Sequence, residues 1–211
     1  MTLVSRRISG LGVGAVVFSS SARAGAAIDE RGYVSIGGID QWIAIQGQDR
    51  SNPVILYLHG GPGEAQSPFL DQFASWERDF TVVNWDQRGA GKTYEKNGDG
   101  TPDVTLNRLA DNALALTEYV LRKLDKKKLV LVGQSFGTTL GLMVVIRRPA
   151  LYSAFVGTGQ VVNRPLTLER QERWARHRAE AAKDAAGLKP LDAAAGSPLP
   201  VQRAWRHRAS G

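Results

Sequence analysis

The chain has 211 residues, with 27 Lys and Arg against 20 Asp and Glu, a formal net charge of +7 and no cysteine. That length supports one main domain with a sizeable core, and the missing cysteines exclude disulfides, a thiolate nucleophile and a cysteine-ligated metal. The charge does not form a basic face: residues 1–24 carry +3, residues 164–211 carry +5 and the body between them carries −1, which argues against a nucleic-acid partner.

Ser5-Arg6-Arg7, a glycine-diluted apolar run from Leu11 to Phe18 and Ala22-Arg23-Ala24 follow one another at the N-terminus. A charged region, a short apolar stretch and an A-x-A site in that order predict a signal peptide over residues 1–24, of twin-arginine type given the paired arginines. The apolar run is too short to span a membrane, so the expected protein is exported to a periplasmic or extracellular location without a stable membrane anchor. Two alternating runs, Tyr33–Ile36 and Gln41–Ile45, are separated by Gly37-Gly38 and predict an antiparallel hairpin. Val54–Leu58 is nearly continuously apolar, as a central strand should be. It ends in His59-Gly60-Gly61-Pro62-Gly63, which no strand or helix interior tolerates and which therefore reads as a tight loop. A helix is predicted from Ser67-Pro68 to Arg78, a strand over Phe80–Trp85, and a polar, glycine-rich surface loop over residues 94–104.

Leu106, Leu109, Ala113, Leu116, Val120 and Leu124 recur at helical spacing behind Thr105, a residue suited to cap the start. The helix leads into Leu129–Val132, a short apolar strand, and then into Gly133-Gln134-Ser135-Phe136-Gly137. This is G-x-S-x-G between a strand and a helix predicted over 138–146, the setting in which such a serine stands at the tip of a sharp turn with its hydroxyl exposed. Tyr152–Gly157 reads as one more strand. Strands alternating with helices imply an α/β fold, a mostly parallel sheet with helices on both faces. Past Val162 no apolar strand run returns: 166–186 fits a charged helix and 188–211 carries little order signal. The expected organisation is thus a leader over 1–24, a domain over 25–163, and a helical cap start or atypical tail over 164–211.

Three blocks, His59–Gly63, Asp86-Gln87-Arg88-Gly89-Ala90-Gly91 and Gly133–Gly137, each close a predicted strand. With them the chain resembles the α/β-hydrolase family, and within it the proline iminopeptidase (prolyl aminopeptidase) group, over roughly residues 31–163. The resemblance implies Ser135 as nucleophile, with the Phe136 and Gly61 N–H groups as the oxyanion hole that acyl transfer needs. It assigns His59, Asp86 and Arg88 to holding loops rather than to catalysis. It also implies an acid and a base beyond a cap, after two further strands. The order Ser135, Asp192, His207 is formally that of the family, yet neither Asp192 nor His207 follows an apolar strand; His177 sits in a charged helical stretch. The composition shift therefore predicts a C-terminally shortened or frame-disrupted member whose last strands, acid and base are missing. Two readings stand side by side. One is a serine hydrolase that removes amino-terminal residues, proline among them, from small peptides, or an esterase or amidase of the same fold. The other is an inactive fragment. No metal or cofactor is expected.

Overall fold

In the computed structural model, residues 25–101, 104–161 and 163–194 are described; the expected leader over 1–24 and His207 lie outside them. The chain opens with β1 (Ile28–Ile36) and β2 (Ile39–Gly47), paired antiparallel from Ile36↔Ile39 to Ile28↔Gly47. Both turn glycines have positive φ, +59° at Gly37 and +82° at Gly38. A two-residue turn whose twist matches that of the strands requires this conformation. The hairpin is longer than the two runs predict.

β3 (Val54–Leu58), β4 (Thr81–Trp85), β5 (Leu129–Gln134) and β6 (Tyr152–Thr158) complete a six-stranded sheet in the order β1-β2-β4-β3-β5-β6. The last four are mutually parallel and β2 joins β4 antiparallel. β3 and the Leu129–Val132 run of β5 lie in the interior of the sheet and are nearly continuously apolar, as strands covered on both faces must be. Leu56, Leu58, Val83, Trp85 and Leu131 form one core with Leu109, Ala113, Leu116 and Val120 of α2 (Leu106–Lys123) and Leu140 and Val144 of α3 (Phe136–Arg147). The Thr105 hydroxyl caps α2 by accepting the Arg108 N–H. On the other face Leu70 packs on Trp42 and Ala44, and Phe73 meets Tyr57 edge to face at 4.9 Å between centroids.

Three expectations need correction. The helix predicted over 67–78 is a 3-10 segment, Ser67–Phe73, broken at Phe69 (φ −122°) and followed by turns. Its entry is fixed by the Asp86 carboxylate, which accepts the Gln66 and Ser67 N–H groups. The loop predicted over 94–104 instead contains α1 (Gly91–Asn97) and a 3-10 turn, Gly98–Gly100. Asp86 also accepts the Lys92 N–H in the first turn of α1, and the Thr93 hydroxyl accepts the Trp42 N–H at 2.9 Å. Tertiary hydrogen bonds outweigh the weak helix propensity of this sequence. Last, the tail forms α4 (Arg164–Ala181) and α5 (Ala185–Ala194), joined by an Arg176–Asp192 ion pair of 2.7 Å; residues 185–194 are more ordered than their composition suggests.

Candidate active site

Ser135 stands between β5 and α3 with φ 50° and ψ −115°, a combination sparsely populated by any residue with a Cβ. The turn is closed from three sides. The Ser135 N–H donates to Thr158 O at 2.8 Å, and Ser135 O accepts both the Thr138 N–H and the Thr138 hydroxyl. Thr138 Oγ1 in turn accepts the Val161 N–H at 2.9 Å, which ties the chain leaving β6 to the serine turn.

The motif glycines are required by close approach. A Cβ on Gly133 would stand 2.6 Å from Gly137 O and 3.0 Å from Thr138 Cα. A Cβ on Gly137 would overlap the Leu58 carbonyl oxygen and lie 2.9 Å from His59 O. The first turn of α3 therefore rests on the backbone of the loop leaving β3, the loop that carries Gly61. Gly61 itself has φ +103°, and a Cβ there would meet Gly63 N at 2.7 Å. Phe136 opens α3, so its N–H lies at a helix N-terminus, where the helix dipole favours negative charge. Ser135, Phe136 and Gly61, the three residues singled out in the sequence, thus sit on two abutting backbone segments at the carboxyl ends of neighbouring strands.

His59 is buried and both of its ring nitrogens are engaged by the backbone. Its Nε2 accepts the Gln87 N–H at 3.1 Å and its Nδ1 lies 2.9 Å from Gly60 O. The first contact needs an unprotonated Nε2 and the second a protonated Nδ1, which assigns one neutral tautomer. Burial holds its pKa below the ordinary imidazole value, against opposing contributions from the Gly60 carbonyl and from the charges of Asp86 and Glu64. Asp86 gathers three backbone N–H groups from residues 66, 67 and 92, and Arg88 donates to Gly37 O in the hairpin turn. The loop-holding roles expected for these residues agree with these contacts.

The linkage has a definite sign. Because the folded pKa of His59 is lowered, the unfolded chain binds the extra proton more readily. The stabilisation is complete above about pH 6.5 and is lost as pH falls toward the lower folded value. Unfolding free energies from urea titrations between pH 8 and pH 5 are expected to fall less steeply for His59→Gln than for the wild type, by up to about 1.4 kcal/mol per pH unit while His59 alone titrates. Equal slopes would overturn this account.

Asp192 lies on α5 and its carboxylate accepts from Arg176 at 2.7 Å; its place in the sequence order carried no information about its surroundings. His177 is exposed on α4, and His207 lies outside the described residues. Among the described residues, no acid and base pair stands with Ser135. Two neighbours escaped the sequence reading. Gln134 precedes the serine and its Oε1 lies 3.4 Å from the Tyr57 hydroxyl; Glu64 follows the glycine loop directly. Adjacency to the two motifs was the signal that could have found them. Among the described residues, no group of three or more His, Cys, Asp or Glu could hold a metal.

The chain matches the alpha/beta hydrolase fold family over residues 53–203. It is 40% identical over 131 residues to the Bacillus subtilis protein named "Probable aminopeptidase YbaC", covering 62% of this chain and 41% of that protein. It is 32% identical over 137 residues to the proline iminopeptidase of Neisseria gonorrhoeae, covering 64% and 41%. The chain therefore spans less than half the length of these relatives. Among solved structures, it resembles a proline iminopeptidase-related protein of Thermus thermophilus with 26% identity and a TM-score of 0.52 over 61% of this chain and 44% of that one. An epoxide hydrolase of Vigna radiata resembles it with 26% identity and a TM-score of 0.50 over 61% and 39%. The strand order, the serine turn and the family match agree, and the chain belongs to the alpha/beta hydrolase fold family.

Proposed function

We propose that the chain carries the nucleophilic half of a serine hydrolase of aminopeptidase type, with Ser135 attacking the carbonyl of the first residue of a small peptide. The observation that carries this reading is the serine turn, in which a strained Ser135 is held at the junction of β5 and α3 by Thr158 and Thr138. In the attack, Ser135 Oγ forms a bond to the carbonyl carbon while the carbonyl π electrons move onto oxygen. The Phe136 and Gly61 N–H groups are the donors this reading assigns to that oxyanion. The hydroxyl proton passes to a general base other than His59, whose only basic nitrogen is engaged by the Gln87 N–H. The similarity to proteins named aminopeptidase and proline iminopeptidase supports amino-terminal release over other acyl transfers.

A second reading is favoured by the same histidine geometry: a hydrolase scaffold that presents the serine but does not activate it. Labelling with a fluorophosphonate probe separates the two, since label on Ser135 of the folded wild type supports an activated nucleophile. Folded protein that takes no label supports the unactivated scaffold.

We infer export from residues 1–24. Double replacement Arg6→Lys and Arg7→Lys is expected to leave the protein unprocessed in the cytoplasmic fraction, whereas the wild type is recovered outside the cytoplasm, cleaved after Ala24. Cell fractionation with N-terminal sequencing reads both. Processing and location that are indifferent to the arginines would overturn the twin-arginine reading.

A further inference from the structure

We propose that Thr138 is a positioning residue for Ser135, and that together with Thr139 it makes the geometry of the serine turn depend on the chain that enters α4. Its role in the reaction rests on the reading of Ser135 as the nucleophile. Thr138 is fully buried in the first turn of α3. Its hydroxyl holds two segments at once, donating to Ser135 O at 2.6 Å and accepting the Val161 N–H at 2.9 Å. Neither role can be exchanged, since a carbonyl oxygen brings no proton and an amide N–H brings no acceptor. Thr139, the next residue, donates its hydroxyl to Val161 O at 3.1 Å. Both backbone polar groups of Val161 are therefore taken by two adjacent threonines. A further bond, from the Ser135 N–H to Thr158 O at 2.8 Å, ties the same stretch of chain to the serine from its upstream end.

Residues 158–161 lead from the end of β6 toward Asn163, whose side chain caps α4 by accepting the Leu166 N–H. Gly159 gives this strap a positive φ of +58°, and no described side chain of α4 or α5 is buried. The α4–α5 pair thus adds little core of its own, and its entry is fixed at Val161 on hydroxyls of the serine helix. A residue at φ 50° and ψ −115° persists only while its surroundings over-determine it. Ser135 is held by two bonds from Thr138 to its carbonyl and by one from its N–H to Thr158. Without the Thr138 hydroxyl, Ser135 O loses one of them and the Val161 N–H loses its partner. The strap is then free to carry Thr158 O away from the Ser135 N–H, and the serine relaxes toward a better-populated conformation that re-aims its hydroxyl.

The test uses the full chain and the rate at which a neutral fluorophosphonate labels Ser135, resolved into reagent binding and the bond-forming step. Thr138→Val is expected to slow the bond-forming step about tenfold, the effect of one lost hydrogen bond, with reagent binding unchanged. Thr138→Ser keeps the hydroxyl and should restore most of the rate. Thr139→Val acts only through the strap and is expected to slow the step about threefold, the lower end for one hydrogen bond. Thr117→Val is the control. It removes an equally buried hydroxyl, bonded to Ala113 O and the Tyr152 hydroxyl in the core, so it lowers stability and should leave the labelling rate of the folded protein unchanged. A wild-type rate in Thr138→Val, or no recovery in Thr138→Ser, overturns the positioning role. A wild-type rate in Thr139→Val overturns the dependence on the chain entering α4, and should Thr138→Val not fold, the partly exposed Thr139 carries the comparison. If wild-type Ser135 takes no label, the nucleophile reading fails separately. The coupling is then read from amide hydrogen exchange at Ser135, expected to be about tenfold faster in Thr138→Val and about threefold faster in Thr139→Val than in Thr117→Val. Equal protection in all three variants overturns it.

Discussion

Ser135→Ala is expected to lose fluorophosphonate labelling and any amidase or esterase turnover completely, while its urea midpoint stays close to that of the wild type. Ser135→Gly is expected to be equally unreactive but more stable. The distinction comes from the backbone. At φ 50° and ψ −115°, serine and alanine both hold a Cβ in a sparsely populated region, at a cost on the order of 1–3 kcal/mol. Glycine carries no such strain, although it gives back about 0.5–1 kcal/mol through the greater freedom of the unfolded chain. The net expectation is a gain of about 1 kcal/mol for Ser135→Gly over Ser135→Ala, read by urea unfolding. Label retained in Ser135→Ala would show that another residue reacts. A glycine variant no more stable than the alanine variant would show that the turn is not strained. If both expectations hold, the serine conformation is one that opposes stability and is retained for presentation of the hydroxyl, which is where strain in a fold is expected to concentrate.

The centre of the sheet and the serine turn were legible because both depend on short-range chemistry. Leu129–Val132 and Val54–Leu58 are apolar runs of strand length, and Gly133 and Gly137 bracket a serine at a spacing that leaves room for one sharp bend. Residues 91–100 were not legible, since α1 is held by the Asp86 carboxylate on the Lys92 N–H and by Thr93 reaching the Trp42 N–H, 51 residues away in sequence. The same holds for 67–73, whose 3-10 form follows from the Asp86 carboxylate taking the N–H groups at its entry. Asp86 could be read as a loop holder, but not which loops it held. The order Ser135, Asp192, His207 was readable, and the surroundings of Asp192 were not, because an exposed ion pair between α4 and α5 leaves no periodic trace in the sequence.

Gly137→Ala is expected to be among the most damaging single-methyl changes in the chain, and its origin separates packing from propensity. By helix propensity alone, alanine at the start of α3 should help by up to about 1 kcal/mol. The added Cβ, however, would overlap the Leu58 carbonyl oxygen and stand 2.8 Å from Leu58 C and 2.9 Å from His59 O. These are backbone atoms of a central strand and of the loop that carries Gly61, so no side-chain rotation relieves the contact. Either α3 moves off β3 or the loop moves off α3. Overpacking of this kind costs about 1–3 kcal/mol, occasionally more, and here the upper end is expected, a net loss of about 3 kcal/mol. The strand glycine Gly32, with nothing within 4 Å of its would-be Cβ, provides the comparison. Gly32→Ala should be neutral or stabilising by about 0.5 kcal/mol through the unfolded state. Urea midpoints of the two variants give the stability difference, and the labelling rate of whatever Gly137→Ala protein remains folded gives its functional consequence. That rate should fall as well, because the clash lies between the turn presenting Ser135 and the loop presenting Gly61, so relief at either side separates the nucleophile from a donor. A folded Gly137→Ala variant that labels at the wild-type rate would mean that the two segments are not required to touch, and the placement of the Gly61 N–H in the oxyanion hole would have to be abandoned.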